Sequence, residues 1–417
     1  MKRQRIGFFS QPFFWWALML GGLITIGLAG AWQVFRYGLV VTNLTDLIPW
    51  GLWITVDLSA IALSAGAFMF SAIVYLLGLK QFQPAARTAV FVGLIGYSMA
   101  LMMLLLDIGR PDRFWHGLVF WNVHSPLWEV TMCVALYFSV LCLEVMPIFG
   151  RARWLQKRWP RAAGWMEKVH HLAPVLAIMG LGLSSLHQSS LGATYGILAA
   201  RPIWFQPGLA TLFMASAMAG GPAMVLLAAT VAARLTPKAN IDAKRLDQLA
   251  RMVGWILLGY LYLRLWDMLS SHYTYTPGRS EAWETLTQGS LAMNFWIGEM
   301  MLGIIVPLTI LLVARLRHDP SLRLLALFLV VGGVVAYRWD TNLVGQLVVM
   351  SRLPQSLTPL YTTYRPSPVE IMTAIGVAAY GVLAFSLGVR YLGVVDYGVS
   401  AETQPIPQPS IIIPTTS

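Results

Sequence analysis

Charge is what this sequence has least of. Asp, Glu, Lys and Arg make up 11% of its 417 residues, against roughly 25% in an ordinary soluble domain, so a water-facing surface of normal composition is excluded. Cysteine is nearly absent too. Cys133 and Cys142 stand nine positions apart in one apolar run, too far along a helix to bridge each other or to form a Cys-pair metal motif, which leaves them as small packing residues. No repeat of fixed period is visible. The connectors between apolar runs are too short to hold a catalytic domain.

What is present is hydrocarbon. Apolar residues reach 57% and the mean hydropathy is +0.65. They fall in runs long enough to cross a bilayer, which takes roughly 20 residues each. The runs predict an all-α, polytopic integral membrane protein with about ten transmembrane helices over 13–34, 52–78, 88–107, 127–148, 172–190, 207–233, 250–270, 291–315, 321–339 and 369–391. The runs 52–78 and 207–233 exceed the bilayer thickness and must tilt or kink, which Pro222 allows in the second. MKRQR at the start resembles the basic end of a signal peptide, but the following run is too long and lacks a small-residue cleavage site, so it reads as a retained span. Residues 1–400 form one transmembrane domain, and 401–417 read as a Pro-rich cytoplasmic tail, extended or disordered.

Lys and Arg divide unevenly between alternate connectors. With the N-terminus inside, 20 lie on the cytoplasmic side and 8 opposite, with Arg264 inside a span, so both termini are expected in the cytoplasm of a bacterial or archaeal cell. That distribution accounts for the net charge of +11 through membrane lipid rather than nucleic acid.

Ionisable residues inside spans are costly and therefore functional suspects. Asp57 lies about 9 Å into its span, Arg264 about as far from the outer end of its own, and Glu299 about 12 Å in. Asp267 follows Arg264 by three residues, on one helix face, as an ion-pair partner. Asp107, Glu129, Arg338 and Glu370 occupy outer ends, and only Glu144 lies toward the inner end. Taken singly, Arg264–Asp267 reads as well as a structural pair, and boundary carboxylates reach water unaided. The shared depth favours a pocket.

The outer connectors add donors and aromatics, as in DIGRPDRFWHGLVFWNVHSPLWE, HQSSLG, SHYTYTPGRSEAWE and YRWDTN. Trp and Tyr there serve ordinarily as interface anchors. His116, His124, His187 and His272 lie at the outer face, and none of the seven histidines falls in the middle of a span. A b-type haem needs two histidines facing each other between helices, so neither haem nor metal is expected in this chain.

Segments NLTDLIPWGLWITVDLSAIALSAGAF, LLLDIGRPDRFWH, NVHSPLWE and HQSSLGATYGI, within 43–195, together resemble the polysulfide reductase and NrfD family of membrane anchors (NrfD/PsrC), and the ten spans with HQSSLG its HybB-like branch. The resemblance implies two four-helix bundles with flanking helices and a quinone site near the periplasmic face. It also implies electron exchange between quinone, ubiquinone or menaquinone, and a periplasmic-side iron–sulfur protein that serves a catalytic subunit. Hydrogenase, polysulfide reductase and quinol-oxidising complexes all use such anchors, so the catalytic partner stays open.

Quinol oxidation releases two electrons and two protons, which calls for groups that orient the ring oxygens and groups that carry protons away. His116 or His187 suits the first task; Asp57, Asp107 or Glu129 suits the second. Arg264 with Asp267 would shape the pocket, and Trp50, Trp53 or Trp128 would pack on the ring. Two other readings compete. A secondary transporter would carry polar, broken helices at the midplane in related halves. A purely structural anchor would leave the shared layer of charge unexplained.

Overall fold

The computed structural model describes residues 12–79, 82–235, 242–351 and 358–395. The tail 401–417 and the leading MKRQR lie outside them. Among the described residues ten helices are long and apolar enough to cross a membrane. They are α1 Pro12–Tyr37, α2 Leu52–Leu76, α3 Gln83–Asp107, α4 Pro126–Gly150, α5 Ala173–Gly196, α6 Gly208–Leu235, α7 Ala243–Tyr273, α8 Asn294–Leu312, α9 Pro320–Leu347 and α10 Pro368–Tyr391. A short antiparallel pair, β1 Val348–Met350 with β2 Pro359–Tyr361, joins α9 to α10.

Helix starts follow from local chemistry. Proline opens α9 and α10, where its missing N–H costs nothing. Asp319 caps α9 by accepting from the N–H groups of Ser321 and Leu322 at 2.7 and 2.9 Å. Ser367 and Glu370 cap α10 reciprocally.

Helices α2, α3, α4 and α5 pack as one four-helix bundle and α6, α7, α8 and α9 as a second, while α1 and α10 pair with each other and lean on the first through α3. The two bundles meet along α2, α5 and α6. In its apolar stretch α2 is 83% buried and α1 only 17%, which puts α2 at the centre and α1 against lipid. The joint is close because α2 and α6 touch backbone to backbone: a Cβ on Gly66 would collide with the Ala217 carbonyl, and one on Gly221 with the backbone of Gly66 and Ala67. Pro222, next to Gly221, sits inside an uninterrupted α6.

Two helices run furthest past their predicted C-terminal ends. Helix α5 continues to Gly196 and α9 to Leu347, six and eight residues past the expected limits. Their polar ends are therefore helical and buried. Arg338, counted from sequence among the outer connectors, lies inside α9 and is wholly buried.

Candidate functional site

The extension of α9 puts Arg338, Asn342 and Gln346 at i, i+4 and i+8, with Asn342 and Gln346 turned toward the start of α2. Asn342 Nδ2 donates to the carbonyls of Trp50 and Gly51 and to Thr55 Oγ1 at 2.9, 3.2 and 3.1 Å, and its Oδ1 accepts from the Tyr195 hydroxyl at 2.8 Å. Gln346 donates to the Trp50 carbonyl at 2.7 Å and accepts from the Trp50 N–H at 3.0 Å. The start of α2 is thus pinned to the second bundle, and the Trp50 ring lies against Tyr195 and Trp204. Arg201, in the connector after α5, donates to the carbonyls of Leu47 and Gly345 at 2.7 and 3.2 Å.

On the other side of α2 stands a group of carboxylates. Asp57 is buried, the charge of Asp107 at the end of α3 acts on it, and that of Glu370 acts on Asp107. Glu370 accepts from the Asn43 N–H at 2.9 Å and from the Tyr364 hydroxyl, which itself accepts from the Leu52 N–H at 2.7 Å. Trp53, one turn before Asp57, donates to Thr373 Oγ1 at 2.6 Å. No ion pair neutralises these three carboxylates among the described residues, and the Oδ1 atoms of Asp57 and Asp107 are buried without a hydrogen-bond partner.

His187 corrects the expectation drawn from its position. Because α5 runs to Gly196, His187 lies about 14 Å before the helix end and is fully buried, inside the span rather than at its face. Its Nδ1 is hydrogen-bonded to the Tyr97 hydroxyl, and Tyr97 packs edge-on against Tyr137. Its Nε2 has no partner. The expectation that no histidine occupies the middle of a span therefore fails for His187.

The second bundle holds its charges differently. Arg264 donates to both oxygens of Glu299 at 2.7 and 3.1 Å and forms the anticipated pair with Asp267. Gln206 donates to the same Asp267 at 2.9 Å and accepts from Arg279 at 3.0 Å. Glu299 reaches Arg264 from a stretch of α8, Asn294–Ile305, that is wound as a π-helix, a winding frequent at functional positions. Asn294 there donates to Asp340 Oδ1 at 2.8 Å. Between Trp204, Gln206, Asp267 and Asp340 lies a cavity of about 20 Å³, room for about one water.

Arg338 lies between the two groups. One terminal nitrogen donates to Gln188, the Phe213 carbonyl and Ser216 at 3.2, 2.9 and 3.0 Å, and the guanidinium sits 3.8 Å over the Phe213 ring. Its Nε and other terminal nitrogen have no hydrogen-bond partner.

The structure thus brings together Asp57, Asp107 and Trp53 around α2, sets His187 behind them through Tyr97, on which the Asp57 charge also acts, and places Arg264 and Asp267 in the other bundle. Glu129 stands apart, accepting from Ser190 Oγ at 2.7 Å where α4 meets α5. Trp128 packs on Trp121 in the loop that precedes α4. His116 lies half-buried in that loop between Trp115 and Phe120, and no hydrogen bond or ion pair among the described residues joins it to Asp57, Asp107 or His187. In the same loop Arg110 grips Asp112 with two hydrogen bonds of 3.1 Å, which hold that carboxyl below the usual range. Sequence reasoning missed Tyr97, Tyr195, Asn342 and Gln346. The i, i+4 spacing of Arg338, Asn342 and Gln346 was the signal for two of them.

Two bundles of membrane-spanning helices, with ionisable side chains buried at the ends that face the aromatic connectors, define a polytopic membrane protein built around a polar site within the bilayer. The chain belongs to the polysulphide reductase NrfD family, whose model matches residues 40–350. It is 30% identical over 390 residues to the integral membrane subunit of menaquinone reductase from Nitratidesulfovibrio vulgaris, covering 92% of each chain. It is 24% identical to the probable Ni/Fe-hydrogenase 2 b-type cytochrome subunit of Escherichia coli, over 90% of this chain and 91% of that one. To the C component of polysulfide reductase from Wolinella succinogenes it is 23% identical, over 73% of this protein and 96% of that one.

Proposed function

We propose that this chain is the membrane subunit of a respiratory redox complex, binding quinone or quinol at the end that carries the aromatic connectors and exchanging its electrons with an external iron–sulfur protein. The observation that carries the reading is a set of buried polar atoms without partners, His187 Nε2, Asp57 Oδ1 and Asp107 Oδ1, around one end of α2. Buried polar atoms are nearly always hydrogen-bonded, so such a set calls for a ligand or water. A quinone ring is apolar with two oxygens that exchange protons, and it matches that demand. The names of the menaquinone reductase and polysulfide reductase relatives support the same substrate and a catalytic partner.

In this reading His187, held in one orientation by Tyr97, offers Nε2 to a ring oxygen. Asp57 and Asp107 take up the protons that quinol releases, and Glu370, tied to the connector through Asn43, leads toward the surface. Trp53 and Trp50 give the apolar wall. We assign the aromatic end to the periplasmic side and both termini to the cytoplasm, because 20 Lys and Arg lie toward the opposite end against 7 once the buried Arg338 is set aside. An activity reporter fused after Ser417 is expected to report the cytoplasm, and a periplasmic signal reverses the orientation.

The test is His187→Gln in the assembled complex. Quinone-linked turnover is expected to fall about 100-fold while turnover of the attached enzyme with an artificial dye persists. Undiminished quinone turnover refutes the assignment. A second reading, haem in this chain, is favoured by one relative's name and by the mid-span place of His187. A b-type band that changes on dithionite reduction and copurifies stoichiometrically would establish it.

A further inference from the structure

A cavity of about 990 Å³ lies between the α1–α10 pair and helices α2, α3 and α6, at the upper end of the roughly 300–1,000 Å³ that small-molecule sites span. Its lining is mostly apolar. Ala60 and Ser64, at one end, are buried, whereas Val231 and Leu235 of α6 are 38% and 78% exposed, so the cavity is closed at mid-span and opens beside the end of α6 away from the aromatic connectors. Along α10 it runs from Ala378 to Arg390, about 18 Å.

The closed end lies next to the carboxylates. Ala60 and Ser64 follow Asp57 by three and seven residues, on one face of α2. On α3 the lining residues Val92, Gly96 and Met99 lead by steps of three or four to Met103 and Asp107, and on α10 Gly381 repeats the face of Glu370 three turns on. The helices that carry Asp57, Asp107 and Glu370 therefore turn the same faces to the cavity. Gly96 also adjoins Tyr97, which holds His187. Met99 stands at the junction: it lines the cavity, lies where a Cβ on Gly381 would strike its sulfur, and packs on the cluster that contains Trp53 and Met103. An unbranched methionine side chain adapts readily to a ligand.

We infer that this cavity holds the isoprenoid tail of the quinone whose ring meets Asp57 and His187, so that a long tail is part of what the protein selects. The inference rests on the quinone reading above and adds the substrate's chain to it. A phospholipid acyl chain matches the apolar length, but its methyl end would meet the turn where Asp57 Oδ1 has no partner. A prenylated quinone brings ring oxygens to that turn and hydrocarbon to the rest. Its tail ends among lipid at the open end, so tails longer than the cavity also fit.

The test uses the assembled complex in lipid nanodiscs, with a long-tailed naphthoquinone and tail-less dimethylnaphthoquinone, each in the redox state that the complex consumes. Ala228→Phe narrows the cavity on its α6 wall. It is expected to raise KM for the long-tailed quinone about tenfold and for the tail-less one less than about twofold, with kcat unchanged, because tail contacts hold ground and transition states alike. A naphthoquinone with a diazirine at the end of its tail needs no variant and keeps the test decisive if Ala228→Phe does not fold: it is expected to label 227–235 of α6 and 381–390 of α10. Equal changes in the two KM values, labelling only outside these segments, or a diazirine phospholipid that labels them and is not displaced by quinone would overturn the inference. The ring site is judged separately by His187→Gln: loss of turnover with both quinones leaves that site standing even where the tail assignment falls.

Discussion

The two bundles bury similar numbers of acidic groups at the same end and treat them in opposite ways. In the second, Arg264 sits between Glu299 and Asp267 and bonds to both, while Asp340 nearby bonds to Asn294 and to no cation among the described residues. In the first, Asp57 feels the charge of Asp107 and has no paired cation among the described residues, while Glu370, which acts on Asp107 from α10, accepts from the Asn43 N–H and the Tyr364 hydroxyl. A triad bonded through one arginine fixes helix positions. Carboxylates left unpaired in a membrane are costly, and their retention points to proton chemistry. The boundary between the bundles is itself marked by an arginine, Arg338, which rests on a ring and carbonyl oxygen instead of a carboxylate.

The sharpest way to break this comparison is to remove one member from each side. Arg264→Ala leaves Glu299 and Asp267 buried without a counter-charge and is expected to destabilise the chain by about 3–5 kcal/mol, read as unfolding in mixed detergent. Asp57→Asn removes a charge that has no partner, and stability is expected to hold or rise. Equal losses in the two variants would mean that both groups are structural. Activity should reverse the order. Asp57→Asn is expected to reduce quinone-linked turnover about 100-fold, within the range for loss of a general acid or base, with dye-linked activity intact. If Asp57→Asn turns over quinone normally, the unpaired carboxylates do not carry protons.

A smaller effect tests the joint between the bundles. Asn342→Leu strands the Tyr195 hydroxyl and takes one donor each from the Trp50 and Gly51 carbonyls, and is expected to cost about 1–3 kcal/mol. Because that joint sets the start of α2, the variant should also loosen Asp57, seen as faster hydrogen exchange over 52–58. Unchanged exchange there would uncouple the two bundles.

The fold was largely legible in the sequence because crossing hydrocarbon leaves a strong, one-dimensional mark: runs of about 20 apolar residues. All ten spans fall where those runs lie. Helix ends were less legible, for a physical reason. Polar residues such as Asp340, Asn342 and Gln346 read as a water-facing connector, yet they continue α9 because residues of α8 and of the turn into α2 bond to them inside the protein. The same blindness moved His187. The Arg264–Asp267 pair was legible, being i, i+3 on one helix, whereas Glu299, 35 residues further on, was seen only as sharing their depth. Asp57 and Asp107 lie 50 positions apart, and the neighbouring Trp53–Thr373 bond joins residues more than 300 positions apart, so no local pattern encodes them.

The least effect is expected where sequence reasoning looked for one of the largest. His116 and His187 were equal candidates for a quinone oxygen, since both stand at the aromatic end of the chain's path. The structure separates them. His187 is wholly buried, oriented by Tyr97, with one ring nitrogen unengaged; His116 lies in the loop before α4, its ring between Trp115 and Phe120, beside side chains such as Trp121 and Val123 that are 65% and 66% exposed. Removing a half-exposed loop histidine without polar partners typically changes free energies by no more than about 0.5 kcal/mol, so His116→Ala is expected to alter quinone-linked turnover by about twofold at most. The measurement is the ratio of quinone-linked to dye-linked turnover in His116→Ala and His187→Gln side by side. If His116→Ala proves the more damaging, quinone meets the protein at the loop rather than among α2, α3 and α5, and the buried unpaired atoms need water instead of a substrate.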